Sequence, residues 1–312
     1  MFRQLLSIMF ISTVCAFYSG AILAQVNVVA SIKPLQMIAH AITDGVSEPE
    51  VLIPSSQSYH HFVLRPSTVR TMNTADLLVW VGPELETYLA DSIRSAPARE
   101  LQVLALPGLT VHYAHNDTEG GPEILIPEQG QHAGHKHKDS TSIDPHVWLD
   151  PGNAVLLATA MVRELEVLDP PNAAVYQSNL ALFTGRLAAL TSEISEQLAT
   201  LRNTEYAVYH NAFQYFESAF GLHHDVVFVE SEELQPSVRH MLTVREAVRS
   251  RPLACVMEDV TTRDATVQSL LGNKEIRRIK ADTTGQNLTS GPMAYIQLIT
   301  NLAEAFRQCP AP

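Results

Sequence analysis

The sequence predicts an α/β protein with two similar domains, each built on a mainly parallel four-stranded sheet, joined by one long rigid helix. Short apolar runs alternate with helical patterns in both halves of the 312 residues, which is typical of parallel sheets covered by helices. Between the halves, a helical pattern runs from Ala173 to about Leu201 with one glycine and no proline. At about 1.5 Å per residue, such a helix would be roughly 40 Å long.

The chain begins with an apolar leader. Arg3 is the only charged residue before Ala24, and small residues precede a plausible cleavage point there. This pattern indicates a secretory signal peptide, with an uncleaved membrane anchor as the alternative. The predicted organisation is a signal peptide at 1–24, an N-terminal domain at 25–170, a linking helix at 171–202 and a C-terminal domain at 203–312.

The first half shows the alternation element by element. Ala75–Val81 is a continuous apolar run, as expected for a strand covered on both faces. Asp150 can cap the helix that begins at Pro151. The predicted strands are Val26–Ser31, Glu50–Ile53, Ala75–Val81 and Leu101–Leu106. The predicted helices are Pro34–Thr43, Pro66–Asn73, Glu84–Ser95 and Pro151–Leu168.

A polar segment at 109–143 interrupts this pattern. It is rich in Gly, His, Asp and Glu and has no lasting periodicity, which indicates an exposed loop. His132, His135 and His137 lie close together within it. They predict an auxiliary, weak metal-capturing loop, and the alternative is a polar insertion without a role.

The second half repeats the pattern after the long helix. The predicted strands are Tyr206–Tyr209, Val226–Val229, Ala254–Met257 and Arg278–Ala281. The predicted helices are Ala212–Phe220, Ser237–Ser250, Thr262–Leu271 and Pro292–Gln308.

The net charge and the cysteines bear on the binding partner and on the cellular compartment. The formal net charge of −12 argues against a nucleic-acid partner. Beyond the leader the chain has two cysteines, Cys255 and Cys309. In an oxidising compartment such a pair favours a disulfide, with two buried free thiols as the alternative.

Histidines and an aspartate stand where predicted strands end or helices begin. His60 follows the Glu50–Ile53 strand, His210 and Asp282 follow strands of the second half, and His146 precedes a helix. Ligands of open α/β sheets bind beyond the carboxyl ends of the strands. We therefore expect these four side chains to converge between the domains. Three imidazoles and a carboxylate form a plausible tetrahedral zinc shell.

The motifs around these residues resemble the zinc-binding periplasmic proteins of ABC uptake transporters, the ZnuA-like group. They occur in the order of that family and cover nearly the whole mature chain. The matching stretches are His60-x-x-x-Leu64-Arg65-Pro66-Ser67, the 75–84 run ending in Gly82-Pro83-Glu84, Asp144-Pro145-His146-Val147-Trp148, Tyr209-His210-Asn211-Ala212-Phe213 and Glu232-Glu233-Leu234-Gln235-Pro236.

The resemblance implies that His60, His146 and His210 are metal ligands, with Asp282 or a water in the fourth position. Manganese-carrying relatives tend to have glutamate at the position of His210, so the histidine favours Zn²⁺. Some zinc relatives have an acidic residue just before the first histidine, where this chain has Tyr59. The resemblance also supports the Cys255–Cys309 bond and the long helix.

The expected function is high-affinity zinc capture in the periplasm, without catalysis, by a monomer that delivers the ion to the membrane permease of an ABC transporter. One alternative keeps the fold and carries Mn²⁺ or Fe²⁺. The other is a secreted zinc hydrolase, which would need an open metal position and a nearby general base. We see no base motif near the three histidines.

Overall fold

The computed structural model describes residues 25–55, 57, 59, 62–113, 143–229 and 237–310. Its first half contains a sheet of four parallel strands in the order β2-β1-β3-β4. These strands are Val28–Ala30 (β1), Glu50–Val51 (β2), Leu77–Trp80 (β3) and Arg99–Gln102 (β4). The second half repeats the order as β6-β5-β7-β8, with strands Ala207–His210 (β5), Val226–Val229 (β6), Cys255–Asp259 (β7) and Arg277–Ala281 (β8).

The repeated order places one break in each sheet. Along the first sheet the direction of chain progression changes between β1 and β3, and along the second it changes between β5 and β7. Such a break, beyond the carboxyl ends of the strands, is where open α/β sheets bind ligands. The predicted fold class, two sheets of four parallel strands with a long helix, is confirmed.

Ten α-helices cover the two sheets within the described residues. They are Lys33–Thr43 (α1), Pro66–Thr74 (α2), Pro83–Glu86 (α3), Ala90–Ser95 (α4), Pro151–Leu168 (α5), Ala173–Gln197 (α6), Gln214–Phe220 (α7), Val238–Ser250 (α8), Asp264–Leu271 (α9) and Ala294–Arg307 (α10). Asp150 caps α5 by accepting a hydrogen bond from the backbone of Gly152. None of the helices in the described ranges has the length and apolarity to cross a membrane.

The long helix α6 packs against both halves. It contacts α1 and α5 of the first half and α10 of the second. Its buried side chains, Tyr176, Phe183, Leu187 and Ile194, recur at seven-, four- and seven-residue intervals and so form one stripe. The predicted domain limits at residues 170 and 202 stay predictions, because one hydrophobic core runs through both halves.

Most predicted elements shift by one to four residues at an end, and two differ more from the structure. The helix predicted over Glu84–Ser95 is broken into α3 and α4, with a turn between them. The strand predicted over Leu101–Leu106 lies earlier, at β4, and Val103–Ala105 forms a 3₁₀ turn. The end of β4 is set by its neighbouring strand, because β3 pairs with β4 only as far as Trp80 and Gln102. Beyond that point Gly82 adopts a positive φ of 147° and turns the chain away.

A disulfide joins the second sheet to the last helix. Cys255 opens β7 and Cys309 follows α10, and their sulfurs are bonded with Cα atoms 5.5 Å apart. Both cysteines are buried in the shared core. The predicted bond is confirmed.

Candidate metal centre

His146 is held by a carboxylate that precedes it by two residues. Asp144 Oδ1 accepts a hydrogen bond from the backbone N of His146 at 3.0 Å and lies 2.7 Å from His146 Nδ1. Since a carboxylate oxygen can only accept, the proton of the neutral ring is assigned to Nδ1. The lone pair of the ring is then on Nε2. An acceptor on the far ring nitrogen is the usual support of a metal-binding histidine.

His210 brings a second imidazole from the other half. It is the last residue of β5, the strand beside the break in the second sheet. The rings of His146 and His210 have centroids 5.1 Å apart at an angle of 68°. His146 is 2% exposed and His210 is 8% exposed. Two histidines 64 residues apart in the sequence therefore lie side by side, and both are buried from solvent.

The separation of the rings matches what a shared tetrahedral ion requires. A zinc–nitrogen bond of about 2.1 Å, extended by about 1.1 Å to the ring centre, puts each centroid about 3.2 Å from the ion. At the tetrahedral angle, two such centroids are about 5.2 Å apart. The observed 5.1 Å agrees with this value.

Hydrogen bonds from the second half fix the turn that carries His146. Trp148 Nε1 donates to the backbone oxygen of Thr283 at 2.9 Å, and Tyr295 Oη donates to the backbone oxygen of Trp148 at 2.7 Å. Tyr215 Oη donates to the backbone oxygen of Asp144 at 2.8 Å. Burial raises the pKa of Tyr215, which keeps this donor protonated. Residues of the second half thus hold the turn that carries His146, which belongs to the first half.

Tyr59 also contacts His146. Its hydroxyl lies 3.4 Å from His146 Nε2. Its ring meets those of His146 and Trp148 edge-on, with centroids 6.3 and 5.9 Å apart.

Asp282 directly follows β8 and is half-buried. Its Oδ1 accepts hydrogen bonds from the backbone N and the hydroxyl of Thr284 at 3.1 and 3.2 Å. Lys33 Nζ donates to the backbone oxygens of Gln286 and Leu288. Its charge also interacts electrostatically with the carboxylate of Asp282. Burial lowers the pKa of Lys33, and Asp282 opposes that shift.

The structure therefore brings together two of the predicted site residues, His146 and His210. His60 and the loop histidines His132, His135 and His137 lie outside the described residues. Within the described ranges, no group of three or more His, Cys, Asp or Glu side chains is disposed to hold a metal. The three-histidine set with Asp282 accordingly stays a prediction.

Two contributors were missed at the sequence level. Asp144 orients His146, and the hydroxyl of Tyr59 contacts Nε2 of the same ring. The signal for Asp144 was its place two residues before a histidine at a helix start, where an acidic side chain can reach back to the following backbone. No local signal places the hydroxyl of Tyr59 on His146, since the two are 87 residues apart.

Sequence comparison places most of the chain beside zinc-uptake proteins. The family described as "ZnuA: Zinc-uptake complex component A periplasmic" matches residues 28–309. The "High-affinity zinc uptake system protein ZnuA" of Yersinia pestis is 30% identical over 294 residues, covering 92% of each chain. That of Brucella abortus (strain 2308) is 29% identical over 340 aligned positions, covering 98% of this chain and 99% of its own.

Comparison with solved structures supports the fold. The manganese-bound binding protein FpvC of Pseudomonas aeruginosa has a TM-score of 0.74 at 17% identity, covering 91% of this chain and 98% of its own. At this identity, the likeness shows the fold alone.

Proposed function

This chain belongs to the ZnuA family of periplasmic zinc-uptake components, and on that premise we propose that it captures Zn²⁺ between its two halves. The ligands in this proposal are His60, His146 and His210, with Asp282 as the fourth. After removal of residues 1–24, the protein acts in the periplasm as a monomer and hands the ion to the membrane permease of an ABC transporter. The family is one of transport components, and the proposed role is that of a carrier.

The observation that carries the proposal is the meeting of His146 and His210. One imidazole comes from each half, both are buried, and their centroids are 5.1 Å apart. The proton on Nδ1 of His146 leaves its Nε2 as the metal-binding nitrogen. An ion bound there would be withdrawn from water and held by both halves at once.

The choice of zinc rests on the donor atoms. Imidazole nitrogen suits Zn²⁺, whereas Mn²⁺ prefers carboxylate and water oxygens. A manganese-bound protein of the same fold makes Mn²⁺ the second candidate cargo. A carrier is favoured over a hydrolase, because Asp144, the carboxylate in contact with His146, is engaged in orienting that ring and would not serve as a base.

The auxiliary role of the 109–143 loop rests on sequence. We expect His132, His135 and His137 to bind zinc weakly, and their loss to leave the central site unchanged.

The test is metal binding by the purified mature chain, residues 25–312, with His132, His135 and His137 replaced by Ala. Calorimetry with a competing chelator should show one tightly bound Zn²⁺ per chain and weaker binding of Mn²⁺. His146→Ala or His210→Ala should weaken zinc binding at least about 100-fold, since each removes a ligand. Affinity should fall as pH drops through the imidazole range, because protons compete for the same nitrogens.

His223→Ala is the matched control, because that histidine is exposed in the second half. It should bind zinc as the parent does. Absence of tight zinc binding in the parent, or unchanged affinity in both His146→Ala and His210→Ala, would refute the proposed function.

A further inference from the structure

The nitrogen of His146 that would bind the cargo already has a hydrogen-bond partner. Nδ1 of His146 donates to Asp144, so Nε2 is the acceptor, and the hydroxyl of Tyr59 lies 3.4 Å from it. The hydroxyl is therefore the donor in this contact. A metal ion can approach this lone pair only after the hydroxyl has moved away.

The position of Tyr59 is set by its surroundings. Tyr88 Oη donates a hydrogen bond to the backbone oxygen of Tyr59. The ring of Tyr59 rests edge-on against Trp148, with centroids 5.9 Å apart, and Trp148 is anchored to Thr283 of the second half. The hydroxyl is thus held beside His146 by one backbone hydrogen bond and one ring contact, and the side chain can still turn away.

We propose that Tyr59 sets the zinc affinity of this protein by competing with the ion for Nε2 of His146. In the metal-free protein its hydroxyl occupies the lone pair, and the incoming ion displaces it. As the ion leaves, the hydroxyl returns to the same nitrogen and favours release. The proposal rests on the proposed function, in which His146 is a ligand. It assigns Tyr59 an effect opposite in sign to that of a ligand.

The size of the effect follows from the contact. A hydrogen bond between neutral groups contributes on the order of 1 kcal/mol net, which corresponds to about a 5-fold change in an equilibrium constant. Removing the hydroxyl should therefore tighten zinc binding about 5-fold. The transfer of zinc to a chelator should slow by a similar factor.

The test is Tyr59→Phe in the full mature chain, which keeps the ring that packs against Trp148. Zinc affinity is measured by competition with a chromogenic chelator, and zinc release is measured by stopped-flow mixing with excess chelator. Tyr113→Phe is the matched control, because Tyr113 is 49% exposed, and it should bind and release zinc as the parent does. Tighter binding and slower release in Tyr59→Phe alone support the proposal.

Weaker or unchanged binding in Tyr59→Phe overturns the proposal, and weaker binding would instead make Tyr59 a ligand. Either outcome leaves the proposed function intact, provided that the parent binds zinc and His146→Ala does not. If Tyr59→Phe fails to fold, nitrogen NMR of the metal-free parent decides. A hydrogen-bonded Nε2 on His146 supports the proposal, and an Nε2 without a hydrogen bond overturns it.

Discussion

The two halves have the same strand order but bury their sheets differently. In the first half every residue of β3, from Leu77 to Trp80, lies in the shared core. In the second half neighbouring residues alternate: Ala207 and Val256 belong to a separate small core, whereas Val208 and Met257 belong to the shared one. The alternation arises because successive side chains of a strand point to opposite faces of the sheet.

This difference distinguishes the parts of the molecule that contact the candidate metal centre from those that do not. The shared core includes Trp148, which donates to Thr283 of the second half, and Tyr215 and Tyr295, which hold the turn of His146 from the second half. The small core lies between the second sheet and the helices α8 and α9, and includes Val244, Val248, Val267 and Leu270. A perturbation of the small core should therefore reach the site less than one of the shared core.

The largest expected contrast comes from one substitution made in each core. Leu298→Ala in α10 removes a side chain that is 0% exposed in the shared core, and Leu270→Ala in α9 removes one that is 1% exposed in the small core. Buried Leu→Ala changes cost about 2–5 kcal/mol, depending on how far the site can collapse. We expect Leu298→Ala near the upper end and Leu270→Ala near the lower end.

Denaturant unfolding of the metal-free proteins measures both losses. Only Leu298→Ala should also weaken zinc binding. Equal free energies of unfolding, or a loss of zinc affinity in Leu270→Ala, would contradict the division into two cores.

Each half also contains a fully buried glutamate, and the second contrast lies in how their charges are balanced. Glu258 is paired with Arg278 and Lys280 at 2.8 and 3.0 Å. Among the described residues, the partners of Glu86 are uncharged hydrogen-bond donors, which include the hydroxyl of Ser31 and the backbone N of Gly82. Burial raises the pKa of Glu86 to about 7.

A raised pKa means that folding favours the protonated carboxyl of Glu86. Its contribution to stability is therefore present at pH below the ordinary glutamate pKa and is lost as the pH rises through about 7. The loss should be at most about 3 kcal/mol. Glu86→Gln should abolish this loss and raise the melting temperature at pH 8.

Melting temperatures of both proteins between pH 5 and 8 give the measurement. Identical pH profiles for the parent and Glu86→Gln would show that folding does not raise the pKa of Glu86. Glu258→Gln is the comparison from the other half. It should destabilise the protein at neutral pH, because Arg278 and Lys280 lose their buried partner.

The smallest expected effect concerns one of the hydrogen bonds that join the halves. Trp148→Phe removes the hydrogen bond to Thr283 and leaves its backbone oxygen without that donor. The expected cost is about 1–2 kcal/mol in the free energy of unfolding. Zinc binding should weaken slightly, because the turn that carries His146 loses one of its anchors. A calorimetric titration beside thermal unfolding would check both, and a variant as stable as the parent would contradict the assigned role of this bond.

The sequence predicted the sheets well because their signals are local. Val226–Val229 was predicted with its observed limits, since a short β-branched run needs no knowledge of its neighbours. The end of β4 depends instead on where its neighbour β3 turns away, and the predicted strand over Leu101–Leu106 missed it. Pairing partners are distant in sequence, so local patterns do not contain this information.

The candidate site likewise has some features that local sequence predicts and others that depend on distant packing. His146 and His210 were predicted to meet because ligands of open α/β sheets bind beyond the carboxyl ends of the strands, with His210 directly after a strand and His146 before a helix. The contact of Tyr59 with His146 depends on a loop conformation and on the packing of Trp148, and no spacing in the sequence encodes it. His60 and Asp282 stay predicted ligands.

The bond between Cys255 and Cys309 ties the end of α10 to β7, across a sequence separation of 54 residues. Such a cross-link limits the conformations open to the unfolded chain. Reduction of this bond would therefore lower the free energy of unfolding, by about 2–5 kcal/mol.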